Sequence, residues 1–237
     1  MAHEFETTRW SLIVAAGGAG EHASAALAEL CRAYWRPVYA FIRRRGHSDA
    51  DAADLTQAFF LHLLEHHAIE RADQSRGRFR SYLLTSAHNF VASARQRERT
   101  LRRGARVSHE SLEASRGADH SLSLSAQDRE SSPESVFERH WALNVTERAL
   151  ERVRADYVSR GQEHVFDELK PFLTSDGSAP GEGPADREAP AAAAARTGLL
   201  RLRRRFGEAL RAEIRETVDE GHDVDDELRF LLRVLGR

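Results

Sequence analysis

The residues best suited to a chemical task lie between positions 76 and 106, where arginines are interleaved with aromatic and amide side chains. Guanidinium groups hold phosphates, aromatic rings stack on bases, and an asparagine amide can read a base edge. The pattern therefore favours non-covalent binding of single-stranded nucleic acid. The candidate residues are Arg78, Arg80, Tyr82, Asn89, Arg95, Arg97, Arg99, Arg102 and Arg103.

The charge of this segment differs from that of the whole chain, whose formal net charge is −2. Between Arg71 and Arg106 there are ten arginines against Asp73 and Glu98, a local excess of eight. Such a block in a nearly neutral protein indicates one face that meets a polyanion. A solvated helix surface is the alternative interpretation, and the charge run alone leaves both open.

Catalytic signals are missing from the sequence. We find no glycine-rich phosphate loop, no Ser/His/Asp arrangement and no Cys/His cluster, so we expect neither an enzyme nor a cofactor. The stretch from His62 to His66 does match H-x-x-E-H, in which two histidines hold zinc and a glutamate acts as a base. Because five-residue matches arise by chance and no third ligand is indicated, we favour a chance match and expect no metal.

The composition also bounds the compartment. Cys31 is the only cysteine, which excludes an internal disulfide and fits a reducing environment. The N-terminus has no signal-peptide pattern, and no apolar run approaches the roughly 20 residues of a membrane span. These features predict a cytoplasmic protein.

Helical spacing of apolar residues recurs along the chain and strand patterns are nearly absent, which predicts an all-α fold. The first long run, residues 24–44, contains Pro37, which is expected to kink it or to split it into two helices. Ser48 with Asp51 three residues later indicates the start of the next helix, over 49–67. The basic segment has its own apolar stripe, made of Phe79, Leu83, Ala87, Phe90, Val91 and Ala94.

The helix predicted over 49–67 is apolar on too many sides for an ordinary surface helix. Leu55, Phe59 and Leu63 form one stripe. Phe60, Leu61 and Leu64 widen it, and Asp54 and Gln57 flank the wider part. Either the helix is central in its domain, which we favour, or its second face binds a partner protein.

The chain is expected to form two helical domains, at 1–106 and 134–237, joined by a polar linker at 107–133. In the second domain, helical spacing covers 135–159 and Leu199 to Val218, with Gly- and Pro-rich sequence between them. Asp223 is a candidate cap for a last short helix.

The longer motifs resemble bacterial RNA polymerase sigma factors of the extracytoplasmic-function type. The similarity lies in DADAADLTQAFFLHLLE and in RADQSRGRFRSYLLTSAHNFVASARQRERTLRRG, and it continues through SVFERHWALNVTERALERVRADY and RLRRRFGEALRAEIRETV. It covers most of the chain outside the linker and residues 175–198. The implied function is that of a sigma factor that binds core RNA polymerase and directs promoter recognition and opening.

The resemblance implies roles for two helices of the first domain, the one predicted over 49–67 and the one in the basic segment. The helix with the surplus apolar face would bind the clamp helices of the largest polymerase subunit through Asp54, Gln57, Phe60, Leu61 and Leu64. The basic segment would open the promoter and hold the non-template strand; by analogy the best candidates are Tyr82, Asn89, Arg95, Arg97 and Arg99. An anti-sigma protein is a further partner that the family suggests and the residues leave open.

The second domain should carry a helix-turn-helix, yet residues 175–198 do not show its pattern. Pro184, Pro190 and an alanine run stand where the motif is expected. A frame-shifted stretch of a GC-rich gene is one hypothesis; the alternative is true loss of the motif, which would leave a sigma-like regulator that binds polymerase without productive upstream recognition. Phosphate contacts are still expected from Arg201, Arg203, Arg204 and Arg205.

Overall fold

The computed structural model describes residues 21–65, 78–104, 124–173, 190–215 and 224–236. Over these residues the all-α prediction is confirmed. The helices are α1 (Glu21–Arg44), α2 (Asp49–Glu65), α3 (Phe79–Gly104), α4 (Ala126–Glu130), α5 (Pro133–Ser159), α6 (Glu163–Leu169), α7 (Pro190–Arg215) and α8 (Val224–Leu235), with a 3₁₀ turn at Lys170–Phe172. Among the described helices, none has the length and apolar composition that a membrane crossing requires.

The chain divides into two compact units, Met1–Asn144 with Glu216–Arg237, and Val145–Arg215. Helix α5 contributes its first residues to one unit and its remaining residues to the other. The division by sequence into 1–106, 107–133 and 134–237 follows family resemblance and composition, and it stays a prediction. Residues 107–123 of the predicted linker lie outside the described residues, but its end contains α4.

The core of the first unit is aromatic. Tyr34 of α1 meets Phe79 of α3 edge to face, with ring centroids 5.4 Å apart. Phe59 of α2 makes a similar contact with Phe90 of α3 at 5.6 Å. The predicted α3 stripe is confirmed as the packed side, since Phe79, Leu83, Ala87 and Val91 are fully buried. Burying such side chains contributes about 1.5–3 kcal/mol each, so this stripe fixes α3 against α1 and α2.

Helix α1 runs through Pro37 without dividing, so the predicted split into two helices is wrong. Proline has no N–H, and the carbonyl of Ala33, four residues earlier, therefore loses its helical partner. The side-chain amide of Asn144 donates to that carbonyl at 2.5 Å. Asn144 is itself buried, so a buried donor and a buried acceptor satisfy each other.

Helix starts follow side-chain caps. At α2, Ser48 Oγ accepts from the backbone N–H of Asp51 at 3.1 Å, as the sequence predicted. At α4, Ser125 and Asp128 form a reciprocal capping box. Between α1 and α2 the chain turns at Gly46, whose φ of 92° lies in the left-handed region.

The second unit packs the end of α5 against α6 and α7. Tyr157 and Phe166 lie with ring centroids 5.8 Å apart, and Leu169, Leu199 and Leu202 are buried with them. Helix α7 begins at Pro190, nine residues before the predicted start at Leu199. The alanine run is therefore helical, as the high helix propensity of alanine favours. The prediction missed this part of the helix because the run has no apolar pattern. Residues 174–189, where most of the expected helix-turn-helix falls, lie outside the described residues.

Candidate nucleic-acid and polymerase interfaces

Helix α2 buries one side and exposes another. Ala52, Thr56, Phe59 and Leu63 are buried. The exposed positions recur at three- and four-residue intervals and form one stripe: Asp54, Gln57, Ala58, Leu61 and Glu65. The buried side agrees with the favoured interpretation of a central helix, and binding of a partner protein by the exposed side stays a prediction.

The residues predicted to bind polymerase divide between these sides. Asp54, Gln57 and Leu61 are exposed, and the Leu61 side chain stands out because 49% of its surface is accessible. Leu64 is half-buried. Phe60 is buried and stacks on Trp35 with ring centroids 5.9 Å apart, so it supports the stripe from below. Phe60 is therefore a core residue of the unit and not part of the accessible stripe.

Helix α3 likewise has two sides, and they separate the predicted nucleic-acid contacts. Tyr82, Asn89 and Arg97 follow a single side, because their spacings of seven and eight residues return close to the same helix angle. Asn89 and Arg97 are exposed and Tyr82 is half-buried. Small and polar residues complete this side, including Thr85, Ser86, Ser93 and Gln96. The combination offers an aromatic ring, an amide and a cation along one accessible strip.

Arg95 lies on the other side of α3, in register with the buried Ala87 and Val91. It is half-buried, and its guanidinium donates to the backbone carbonyl of Arg45. That bond ties α3 to the turn between α1 and α2. The predicted DNA contact at Arg95 is therefore a contact within the unit in this structure.

Arg80 is also on the buried side, with 7% of its surface accessible. Its Nε donates to Oε1 of Glu227 at 2.7 Å, and Arg78 Nε lies 2.9 Å from Oε2 of the same carboxylate. The Arg80 guanidinium also lies over the rings of Phe230, at 3.9 Å, and Trp141, at 5.1 Å. Arg80 is thus engaged inside the unit, and its predicted contact with DNA stays a prediction.

The remaining arginines of the set fall into two groups. Arg99, Arg102 and Arg103 continue α3, and their side chains lie outside the described residues. In α7, Arg203 donates to the carbonyl of Phe172 at 3.0 Å and Arg205 donates to Asp156 at 2.8 Å. Arg201 and Arg204 are exposed on that helix. The four α7 arginines therefore divide into two that hold the second unit together and two that face outward.

The zinc motif receives no support from the described residues. His66 lies outside them, while the ring of His62 lies 5.3 Å from that of Phe90, in an aromatic contact. Within the described ranges no group of three or more His, Cys, Asp or Glu side chains is arranged to hold a metal ion.

Sequence reasoning missed Glu227, Phe230 and Trp141 as neighbours of the basic segment. The apolar period of α8 and of α5 identifies them as helix residues, but no local pattern shows which helix they pack against. The burial of Arg80 did have a signal, because Arg80 precedes Ala87 and Val91 by seven and eleven residues and so shares their stripe.

Comparison with protein families gives one match: residues 30–100 fit the model of Sigma-70 region 2. This segment contains α1 from Leu30, all of α2 and most of α3, and hence both accessible strips described above. The match covers 71 of the 237 residues and shows that this part of the chain is similar to Sigma-70 region 2. Comparisons with curated proteins and with solved structures gave no significant match.

Proposed function

We propose, from the premise that residues 30–100 form a sigma-70 region 2, that the protein is a sigma factor of the extracytoplasmic-function type. It binds core RNA polymerase and directs promoter recognition and opening, and it is not itself an enzyme. The match to region 2 is the observation that carries this proposal. The accessible strips on α2 and α3 support an assignment of side chains to the two tasks.

The α2 stripe is the polymerase-binding surface in this proposal. Leu61 is a large apolar side chain held half exposed, with Gln57 one turn and Asp54 two turns before it. An apolar centre with a polar border is the usual anatomy of a protein interface. The clamp helices of the largest polymerase subunit would cover Leu61, with Leu64 at the edge.

The exposed side of α3 is the promoter-binding surface. Tyr82 offers a stacking plane, Asn89 a base-edge donor and acceptor, and Arg97 a phosphate contact. Arg99, Arg102 and Arg103 extend the same helix and add positive charge. Opening the duplex requires unstacking bases, which costs a few kcal/mol per step and is offset by such contacts.

The second region of the chain, 134–237, acts on upstream DNA in this proposal, with 107–133 as the connection. Arg201 and Arg204 are the exposed members of the predicted set, and Arg204 also lies 3.6 Å from Glu208. Phosphate contacts position a protein without reading sequence, so these two residues supply affinity and leave sequence selection to other groups.

The test of polymerase binding is a pull-down of core enzyme by wild type, Leu61→Asp and a matched control, Val158→Asp. The two positions are comparably accessible, at 49% and 47%, so both variants place a carboxylate on the surface at similar cost to folding. Leu61→Asp should abolish capture, because a desolvated carboxylate is costly at an interface centre. Val158→Asp should leave capture unchanged. Equal capture by all three proteins would refute the assignment of this stripe.

Reconstituted transcription tests initiation itself. With genomic DNA as the template, core polymerase and the wild-type protein should give discrete transcription start sites. Core polymerase with Leu61→Asp should give none. Polymerase binding without start sites would instead support a regulator that occupies polymerase without productive initiation.

A further inference from the structure

The buried carboxylate of Glu227 lies between two arginines at the beginning of the promoter-binding helix. Its two oxygens lie 2.7 Å from Arg80 Nε and 2.9 Å from Arg78 Nε. Only 2% of the Glu227 side chain and 8% of the Arg80 side chain are accessible. Glu138 adds a second carboxylate, 3.7 Å from Arg80. The positive charge at this end of α3 is therefore neutralised from within the protein.

The same helix that supplies Glu227 also supplies an aromatic plane. Phe230 follows Glu227 by three residues, on the same side of α8. The Arg80 guanidinium carbon lies 3.9 Å from the centre of its ring. A guanidinium that pairs with an anion and also stacks on a ring is satisfied in both of the ways that arginine uses with nucleotides.

Glu227 and Phe230 thus offer Arg78 and Arg80 what a nucleotide would offer, an oxyanion and a ring to stack on. Arginine binds carboxylate and phosphate with the same paired N–H geometry. A phosphate can therefore replace the carboxylate without leaving the guanidinium unsatisfied. The net energy of a buried ion pair is small because desolvation offsets most of the attraction, but an arginine left without an anion is costly, so the phosphate has to take the place of the carboxylate as it leaves.

The attachment of α8 is limited in extent. Its buried residues among those described are Glu227, Leu231 and Val234, one narrow stripe on a helix of 12 residues. Helices of this length are marginal in water without tertiary contacts. Once released from these contacts, α8 would therefore also unfold in part.

We propose that α8 is an autoinhibitory element that covers the predicted nucleic-acid contacts Arg78 and Arg80 in the free protein and is displaced when a DNA strand binds there. This inference rests on the proposed promoter-binding role of α3. It assigns Glu227 and Phe230 as an internal substitute for a nucleotide. Free protein then binds single strands weakly, and the two arginines join the promoter-binding surface only after α8 leaves.

The test uses full-length protein and a short fluorescent single-stranded DNA of mixed sequence, with affinity measured by anisotropy over a range of salt concentrations. Glu227→Gln keeps the shape of the side chain and removes its charge. It should bind about tenfold more tightly than wild type if α8 covers the site in about nine of ten molecules. The salt slope should steepen by about 1.4, since two more phosphates are neutralised at about 0.7 each on single strands.

Two controls isolate the contact. Asp226→Asn removes a charge from the neighbouring exposed position of α8, where Asp226 pairs with Arg229, and it should leave DNA affinity unchanged. Adding Arg78→Ala and Arg80→Ala to Glu227→Gln should abolish the gain. If Asp226→Asn raised affinity as much as Glu227→Gln, net charge would explain the effect and the proposal would fail.

Hydrogen exchange in the wild-type protein tests independently whether DNA displaces α8. This measurement does not depend on whether Glu227→Gln folds. Amides of α8 should lose protection when the single strand is added, while those of α1 keep theirs. Unchanged protection in α8, or a stable Glu227→Gln with wild-type DNA affinity, would make α8 a fixed support and overturn the proposal.

Wild-type protein with core polymerase and a bubble template separates this inference from the proposed function. If wild type forms open complexes but Glu227→Gln binds single-stranded DNA no more tightly than wild type, only the proposed role of α8 is refuted. If neither wild type nor the variants form open complexes or bind DNA, the promoter-binding role of α3, on which the inference rests, is refuted.

Discussion

At the scale of single residues, the Asp128 carboxylate serves two partners at once. Burial raises its pKa, but hydrogen bonds from Ser125 and the nearby His140 outweigh burial and hold the pKa of Asp128 below its usual value. Burial lowers the pKa of His140, and Asp128, 3.3 Å away, offsets this only in part. His140 is therefore neutral in the folded protein where an exposed histidine would begin to protonate.

Stability should consequently fall on acidification in two stages. The unfolded chain protonates His140 near pH 6.5 and the folded protein resists it, so stability is lost below about pH 6.5. The contribution of Asp128 is present above the unfolded value near 3.9 and is lost as the pH falls through its lowered folded value. Urea unfolding at a series of pH values measures both stages. His140→Gln should flatten the first.

At the scale of elements, the turn between α1 and α2 depends on Gly46. Its φ of 92° is strained for any residue with a Cβ, and an added Cβ would meet nothing within 4 Å. Gly46→Ala should therefore cost about 1–2 kcal/mol through the backbone alone. Gly207→Ala is the matched control inside α7, where the added Cβ would make only an ordinary 3.7 Å contact with Arg211. It should stabilise by about 1 kcal/mol. Denaturant unfolding that gave both variants the same sign would contradict this account.

Continuity of α1 depends on a contact from another helix. Asn144→Ala should cost about 1–3 kcal/mol, because it leaves the Ala33 carbonyl buried without a donor. Pro37→Ala restores the backbone N–H that this carbonyl lacks. In the Pro37→Ala background, Asn144→Ala should therefore cost about 1 kcal/mol less. Additive effects in this double-mutant cycle would show that the amide does not substitute for the missing N–H.

At the scale of the whole molecule, DNA affinity should depend on which side of α3 an arginine occupies. Arg97→Ala should reduce the salt slope of bubble-template binding, measured with core polymerase present, by about 0.7–0.9, the value for one phosphate contact. Arg95→Ala should leave the slope unchanged and reduce stability, since Arg95 bonds to the carbonyl of Arg45. A reduced slope for Arg95→Ala would show that Arg95 reaches DNA in the complex.

Much of this molecule could be predicted from local sequence. Apolar period predicted most of the longer helices and the buried stripe of α3, and the spacing of Ser48 and Asp51 predicted a cap, because these features depend on residues close together in the chain. Contacts between distant residues could not be predicted in this way: the pairing of Arg80 with Glu227 joins residues 147 positions apart. The Arg-rich run was therefore interpreted as one accessible surface, although the helix divides it between two sides.

The bond from Asn144 to the Ala33 carbonyl has a consequence for how related chains change over time. Pro37 leaves the Ala33 carbonyl without its helical donor, and the side-chain amide of Asn144 donates to that carbonyl instead. Positions 37 and 144 should therefore covary. Where Pro37 is replaced by a residue that has a backbone N–H, an aliphatic side chain at position 144 should be tolerated. Lineages that keep Pro37 should retain an amide there, even where the surrounding positions have drifted.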